Sequence, residues 1–443
     1  MPRPLESSRH TPGATPSRLV GWFVPANRRV LPDAFRWTVL SGTLVAASTF
    51  LMLVVVTRAA GLYWGGVFSL ALAAALQLQT IGCFSVRSFQ VADTREHFSF
   101  GDYLAARLAT AALMLLAGLG WIATAGLSRD KTATLLLLLG LKLTESLANV
   151  LEGRYHQRDR LDVACRSLFW KTLLPLLLFC ALMLGGWPLV PALAAPVALH
   201  ATLLLVIDGR LIRAFGGWQL RWNTRRIGRL LRACLPLFLN AYLLMVINNA
   251  AKFALDRQSD EATLTRYSAL FMVAYLPPLL SNFAMSPLMT RLARAWPARD
   301  PKPFFRLIGV QLAWIAGLTA IGLALIPLGG TALLSRLFGT DLAAYRRELM
   351  LLLTGGSLIA ASLVFQYVLV ILRRLTVGLA CMTAAALLAG LITRPLVAQQ
   401  AIAGAAWSFA AVGAVMCALF LLATRHGLRR ALDGGTTSVS SGV

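Results

Sequence analysis

Charge is scarce in this chain, and acid is scarcer than base. Only 14% of the residues are charged, with 18 acidic against 42 basic, where a soluble domain carries roughly 25%. So little charge cannot clothe the surface of a water-soluble globule. The common catalytic signatures are missing as well. No G-x-x-x-x-G-K-[ST] loop occurs, so ATP hydrolysis is not built in. No D-x-D occurs, which weighs against a nucleotide-sugar glycosyltransferase. The five histidines are scattered and form no H-E-x-x-H or related cluster. Cys83, Cys165, Cys180, Cys234, Cys381 and Cys417 never stand at C-x-x-C spacing and mostly lie in apolar runs. Small packing residues are the expected role there, rather than metal or redox chemistry. Neither a cofactor nor a metal ion is expected.

What the chain does have is hydrophobicity, 58% of its residues, and it is grouped. The blocks run about 18 to 23 residues, the length that crosses roughly 30 Å of hydrocarbon. In lipid the backbone must satisfy its own hydrogen bonds, so such blocks are read as helices. Candidate spans lie at 37–57, 64–86, 103–126, 132–151, 167–185, 189–207, 233–255, 267–289, 305–326, 349–371, 376–393 and 402–423. The expected fold is an all-α polytopic membrane protein of about 12 helices. Residues 1–36 are polar and basic with no apolar core and read as an N-terminal tail, not a cleavable signal. An N-terminal lobe over 37–207, a basic linker over 208–232, a C-terminal lobe over 233–423 and a tail over 424–443 follow.

The net charge of +24 would suggest nucleic acid in a soluble protein. Its placement gives a different answer. With alternating spans, 31 of the 42 basic residues fall on the side of the two chain ends. Nine fall on the other side: Arg58, Arg129, Lys131, Arg257, Arg266, Arg336, Arg346, Arg347 and Arg394. Lys142 and Lys252 lie within spans. This is the positive-inside pattern, with both termini cytoplasmic. Nucleic acid is not an expected partner; anionic lipid headgroups are.

The two halves echo each other weakly. The first span ends at Thr57-Arg58 and the second begins Gly66-Val67-Phe68-Ser69-Leu70; the seventh ends at Asp256-Arg257 and the eighth begins Tyr267-Ser268-Ala269-Leu270. A parallel repeat about an axis along the membrane normal, with two six-helix lobes related by a pseudo-two-fold, fits this echo. Pro175, Pro236 and the pair Pro277-Pro278 mark expected helix irregularities.

Polar residues inside spans are the candidate site. The fourth span carries Lys142, Glu145 and Asn149, then Glu152, at spacings of three, four and three that place them on one face. A central charge costs roughly 2.5–3.5 kcal/mol on insertion scales, so Lys142 should face protein or water. Two readings stand: the wall of a hydrophilic cavity, or a self-satisfied Lys142–Glu145 pair. The seventh span repeats the idea with Asn249, Lys252 and Asp256, nearer the membrane surface. Arg58 and Arg87 sit at opposite ends of the first two spans, where an arginine serves as an interface anchor or meets a phosphate through its bidentate fork. From Trp37 to Val56 there is no acidic residue.

Several stretches, in order, resemble one known family. They are Thr57-Arg58-Ala59-Ala60-Gly61-Leu62-Tyr63-Trp64-Gly65-Gly66-Val67-Phe68, then Arg87-Ser88-Phe89-Gln90-Val91-Ala92-Asp93, then Phe98-Ser99-Phe100-Gly101-Asp102-Tyr103. Gly153-Arg154-Tyr155-His156-Gln157-Arg158-Asp159 through Ala164 follows, then Pro236-Leu237-Phe238-Leu239, Asn248 through Asp256, and Leu337-Phe338-Gly339-Thr340-Asp341-Leu342 with Tyr345. Together they resemble the polysaccharide flippases of the multidrug/oligosaccharidyl-lipid/polysaccharide exporter superfamily, over roughly residues 37–425. The resemblance implies a two-lobed transporter of the bacterial cytoplasmic membrane, not an enzyme. It would turn undecaprenyl-pyrophosphate-linked sugar repeats to the outer leaflet for surface polysaccharide or lipopolysaccharide, beside a polymerase or export machinery. Arg58, Arg87, Lys142, Glu145, Asn149, Asn249, Lys252 and Asp256 are its expected substrate contacts. The missing acid of the first span departs from the cation-coupled drug exporters of that superfamily. A drug exporter of the same fold, a flippase for the peptidoglycan precursor and a membrane enzyme of polysaccharide assembly remain as alternatives.

Overall fold

A computed structural model describes residues 18–24, 30–93, 96–281 and 302–437. Among these residues there is helix and no strand. The short α1 (Arg18–Phe23) leads to α2 (Val30–Cys83), whose 54 residues are far too many for one crossing. The bend comes at Gly61, with φ 89 and ψ 178, a conformation that glycine adopts without steric cost. α2 is therefore two spans joined without a loop. α3 (Val86–Ala92), α4 (Phe100–Thr124), α5 (Arg129–Gln157), α6 (Leu161–Leu184) and α7 (Leu189–Leu203) follow. One π turn, Leu204–Asp208, carries α7 into α8 (Gly209–Ala214).

The second half begins with α9 (Thr224–Gln258) and α10 (Glu261–Ala274). α11 (Lys302–Leu325) turns through a π segment at Ile326–Gly330 into the short α12 (Thr331–Phe338). α13 (Arg346–Ile371) and α14 (Leu375–Thr437) complete it, the latter broken at Ala401. Nine described helices are long and apolar enough to cross a membrane, and two of them, at 61 and 55 residues, are long enough to cross twice. With α10 this makes about twelve passes, so the first and last described residues lie at one face, here the terminal face. The eighth expected span, 267–289, runs past the last described residue before the gap, 281. Arg95, Arg291, Arg294 and Arg299 also lie outside the described residues.

Polar caps set several helix starts. Ser99 and Asp102 form a capping box on α4, and Ser128, Asn223 and Asp260 cap α5, α9 and α10 through their side chains. Asn223 moves the start of α9 about nine residues ahead of the apolar block. Pro236 consequently sits inside the helix, where the Asn240 amide donates to its carbonyl at 2.9 Å. Large apolar side chains such as Leu116, Leu184 and Leu391 stand exposed on the outside of the bundle, as a lipid-facing surface requires.

Two cores join the lobes. In the half away from the terminal face, Leu53, Phe68, Leu70 and Phe179 of the first lobe merge with Leu255, Tyr267, Leu270, Phe338 and Phe409 of the second. In the terminal half, Phe84, Tyr103, Tyr155 and Ile207 close around Leu230 and Cys234 of α9. The segment 215–223 that connects the lobes turns at Phe215 and Gly216 and is then laid on Gly101: a β-carbon there would sit 2.4 Å from the Gln219 carbonyl oxygen. Arg226, at the start of α9, pairs with Asp102 at 3.0 Å. α1 is held similarly, since the Arg166 guanidinium donates to the Trp22 carbonyl and lies over the Trp22 and Trp37 rings.

Candidate functional site

The lobes meet along the second arm of α2, which faces α9 and α10. Ser69 and Ser268, the serines of the sequence echo, touch hydroxyl to hydroxyl across this boundary. Asn249 donates to the Ala73 carbonyl at 3.3 Å and to the Gln77 side chain at 3.4 Å.

Toward the face opposite the termini, polar contacts tie the lobes. Lys131 of α5 reaches Asp256 at 2.6 Å and Glu261 at 3.0 Å, all three side chains less than a third exposed. Arg58 donates to the carbonyls of Arg336 and Leu337 in α12, the open end of a helix that attracts cations. Thr265 donates to the Leu62 carbonyl at 2.6 Å. Gly66 lies so close that a β-carbon would sit 2.3 Å from the Glu261 carbonyl oxygen. Asp256 is thus taken by Lys131, from a helix 125 residues earlier, while Lys252 four residues before it turns toward α10. The Lys252 ammonium lies 5.0 Å from the centre of the Phe271 ring. Among the described residues no carboxylate pairs with it.

Midway along α5, the Lys142 ammonium donates to both oxygens of Glu145, at 2.9 and 2.8 Å. Gln79 of α2 donates to the same carboxylate at 2.8 Å. Thr144 gives its proton to the Leu141 carbonyl and contacts His200 Nδ1 at 2.8 Å, so that nitrogen carries the hydrogen. The polar face seen in the sequence is present, and its members have separate partners: Asn149 accepts from Arg107 at 3.0 Å, and Glu152 goes to the terminal-side cluster.

That cluster was hidden in the sequence. Lys171 of α6, with no exposed side-chain surface, reaches Glu152 at 3.0 Å and Asp208 at 2.6 Å. Arg87 of α3 takes the other Glu152 oxygen at 2.8 Å. Ser167 and Tyr155 donate to Asp208. Two cations and two carboxylates balance, which is the condition for burying charge. Asp208 stands at the start of the expected linker over 208–232, and Lys171 near the start of the expected span 167–185. The signal available was Lys171 and Ser167 at a four-residue spacing in an apolar helix, and the partners come from elsewhere in the chain.

The loop after α3 is polar in a different way. Asp93 accepts from the His97 and Phe98 backbone N–H groups at 3.1 Å and from the Tyr103 hydroxyl at 2.8 Å, and contacts the His97 ring at 2.8 Å. Burial alone would raise its pKa; the bonds from His97, Phe98 and Tyr103 outweigh it and hold the carboxyl down at about 2. A small cavity of about 50 Å³ lies in the second lobe, lined by Leu244, Met245, Asn248, Phe271 and Phe409 among others.

Neither family models nor curated protein sequences give a match. Solved structures do. The lipid II flippase MurJ, in an inward closed conformation, aligns with a TM-score of 0.64 at 12% identity, over 88% of this chain and 87% of that one. A mutant of the MATE transporter VcmN from Vibrio cholerae aligns at 0.60 and 12% identity, over 90% and 97%. A MOP superfamily transporter from Pyrococcus furiosus aligns at 0.56 and 13% identity, over 94% and 99%. The fold is that of the MOP superfamily transporters. Within this fold the boundary between the lobes is closed by contacts toward both faces, Lys131 with Asp256 and Glu261 at one and Phe84 on Phe238 at the other.

Proposed function

We propose that the chain is a flippase that carries an undecaprenyl-pyrophosphate-linked oligosaccharide repeat from the inner to the outer leaflet of the bacterial cytoplasmic membrane. The terminal face is cytoplasmic in this reading, following the charge bias of the loops. The observation that carries it is the series of cations through the membrane depth. Arg87 lies in the terminal half, Lys142 at the middle, Lys252 and Arg58 toward the other face, and Lys252 has no carboxylate partner among the described residues. A pyrophosphate cannot cross hydrocarbon alone, and fixed cations with trapped water reduce the cost of desolvation. The lipid tail stays in the bilayer while the lobes rock around the headgroup. Nothing covalent changes, so no catalytic residue is needed. The likeness to MurJ, a flippase of lipid II, supports a lipid-linked sugar as the substrate class.

A drug exporter is the second reading. It is favoured by the likeness to multidrug resistance MATE family transporters of the MOP superfamily. Purified protein in vesicles, with a labelled lipid-linked oligosaccharide in one leaflet, separates the two. Leaflet transfer with no change in the substrate's mass supports the flippase. Absence of transfer with uptake of a cationic dye refutes it, and a chemically altered lipid indicates an enzyme.

A further inference from the structure

The most deeply buried cation without an assigned task is Arg107 of α4, whose side chain has no exposed surface. One terminal nitrogen donates to the Gly82 carbonyl and the other to Asn149 Oδ1 at 3.0 Å. Its Nε is buried without a partner. No carboxylate pairs with it among the described residues. A guanidinium has five N–H donors and a charge that is never lost, so this is an incomplete set in a low-dielectric place, where an uncompensated charge is expensive.

Lys171 shows how this same lobe treats a cation that is purely structural. It is equally buried, and it holds two carboxylates at 3.0 and 2.6 Å. Capping the end of α2 does not account for Arg107 either. The Gly82 carbonyl already receives the Thr110 hydroxyl at 2.8 Å, a neutral donor that closes the helix end without charge.

What covers Arg107 belongs partly to the other lobe. Cys83, Cys234 and Arg87 are its electrostatic neighbours, and Cys234 is a fully buried residue of α9. Beside it the rings of Phe84 and Phe238 stack across the boundary at 4.0 Å. The guanidinium thus lies on the first-lobe side of a seam that α9 closes. Arg87 is held by Glu152, which keeps Lys171 when Arg87 turns away.

We propose that Arg107 is a phosphate-binding residue, sealed in this closed state and uncovered when α9 parts from α4, and that it grips pyrophosphate oxygens together with Arg87. The identity of the anion rests on the flippase reading; the presence of an anion site does not. Arg107 is the fixed member of the pair, because its carbonyl and amide contacts orient it. Arg87 is the member that changes partners.

Inorganic pyrophosphate is the probe, titrated into the purified full-length protein while thermal unfolding is followed. The wild type should be stabilised, with affinity at least 10-fold weaker in Arg107→Met and intermediate in Arg107→Lys, which keeps the charge and loses the planar fork. Equal affinity in Arg107→Met and wild type, or no pyrophosphate binding by the wild type, overturns the proposal. A second measurement keeps Arg107 in place. In a variant whose other five cysteines are alanine, maleimide labelling of Cys234 should quicken when pyrophosphate is added, because the anion binds the state in which α9 has parted from α4; an unchanged or slower rate overturns the site. Leaflet transfer measured in parallel separates the two claims. Undiminished transfer by Arg107→Met removes Arg107 alone. No transfer by the wild type, with pyrophosphate binding that depends on Arg107, removes the flippase reading and leaves the anion site.

Discussion

Lys131 holds the lobes together at the face away from the termini, and replacing it by glutamine should open that face. Its ammonium stands 2.6 Å from Asp256 and 3.0 Å from Glu261. At an effective dielectric constant near 20 each contact represents about 5–6 kcal/mol of gross attraction. Desolvation and side-chain ordering cancel most of that, and a net coupling of about 1–3 kcal/mol is the realistic range for half-buried pairs. Lys131→Gln also leaves two carboxylates facing each other on the second lobe, which adds to the loss. A change of about 2 kcal/mol shifts a two-state equilibrium roughly 30-fold. The assay is a distance distribution between spin labels at Arg129 and Gln258, exposed positions on the two lobes, in a variant without native cysteines. Lys131→Gln should move population to longer distances, and adding Asp256→Asn with Glu261→Gln should bring part of it back. An unchanged distribution would show that these ion pairs are incidental to closure.

Gly66→Ala should open the same face without altering any charge, because its β-carbon would meet the Glu261 backbone at 2.3 Å; the same label pair reads the shift, and a wild-type distribution refutes it. Lys142→Gln should reduce leaflet transfer and protein abundance together, leaving Glu145 with Gln79 as its remaining partner. In the double variant with Glu145→Gln, abundance should recover and transfer should not; full recovery of transfer means that Lys142 only balances Glu145. Asp93→Asn should cost about 1–2 kcal/mol at neutral pH. Because the folded carboxyl is held at about 2, its contribution is complete above the unfolded value of roughly 3.9 and fades as pH falls through that window. Thermal unfolding at stepped pH should therefore show mutant and wild type converging toward acid, and a constant gap contradicts this.

Much of the architecture was legible because the membrane imposes it. Apolar block length gives the crossings, and Gly61 announces the turn between the first two. The lateral partners were not legible. Asp256 stands four residues from Lys252, a spacing that suggests a pair, and the fold instead delivers Lys131 to it from another helix. Lys171 and Asp208 stand at the edges of their apolar blocks, where helix ends cannot be placed to a turn from composition; helix continues through both residues and brings them to Glu152. The polar face of α5 was visible as a period, and which neighbour each member would meet depends on α2, α4, α6 and α7. Helical periodicity defines a face, while its partners are a property of the whole bundle.

The strap between the lobes sets a limit on how far they travel. Its backbone is seated on Gly101 at Gln219 and Arg221, and α9 begins at Thr224. Only three virtual bonds separate Arg221 from that helix start, and a fully extended chain covers about 3.5 Å per residue. While the seat on Gly101 holds, the first turn of α9 stays within about 10 Å of the anchored residue, roughly one helix diameter. The mouth at the terminal face therefore has a built-in stop. If the chain is the flippase proposed above, a headgroup wider than that gap would enter edge-on or from the side through the bilayer, and the length of a nine-residue connector would bound the cargo's cross-section as firmly as any side chain lining its route.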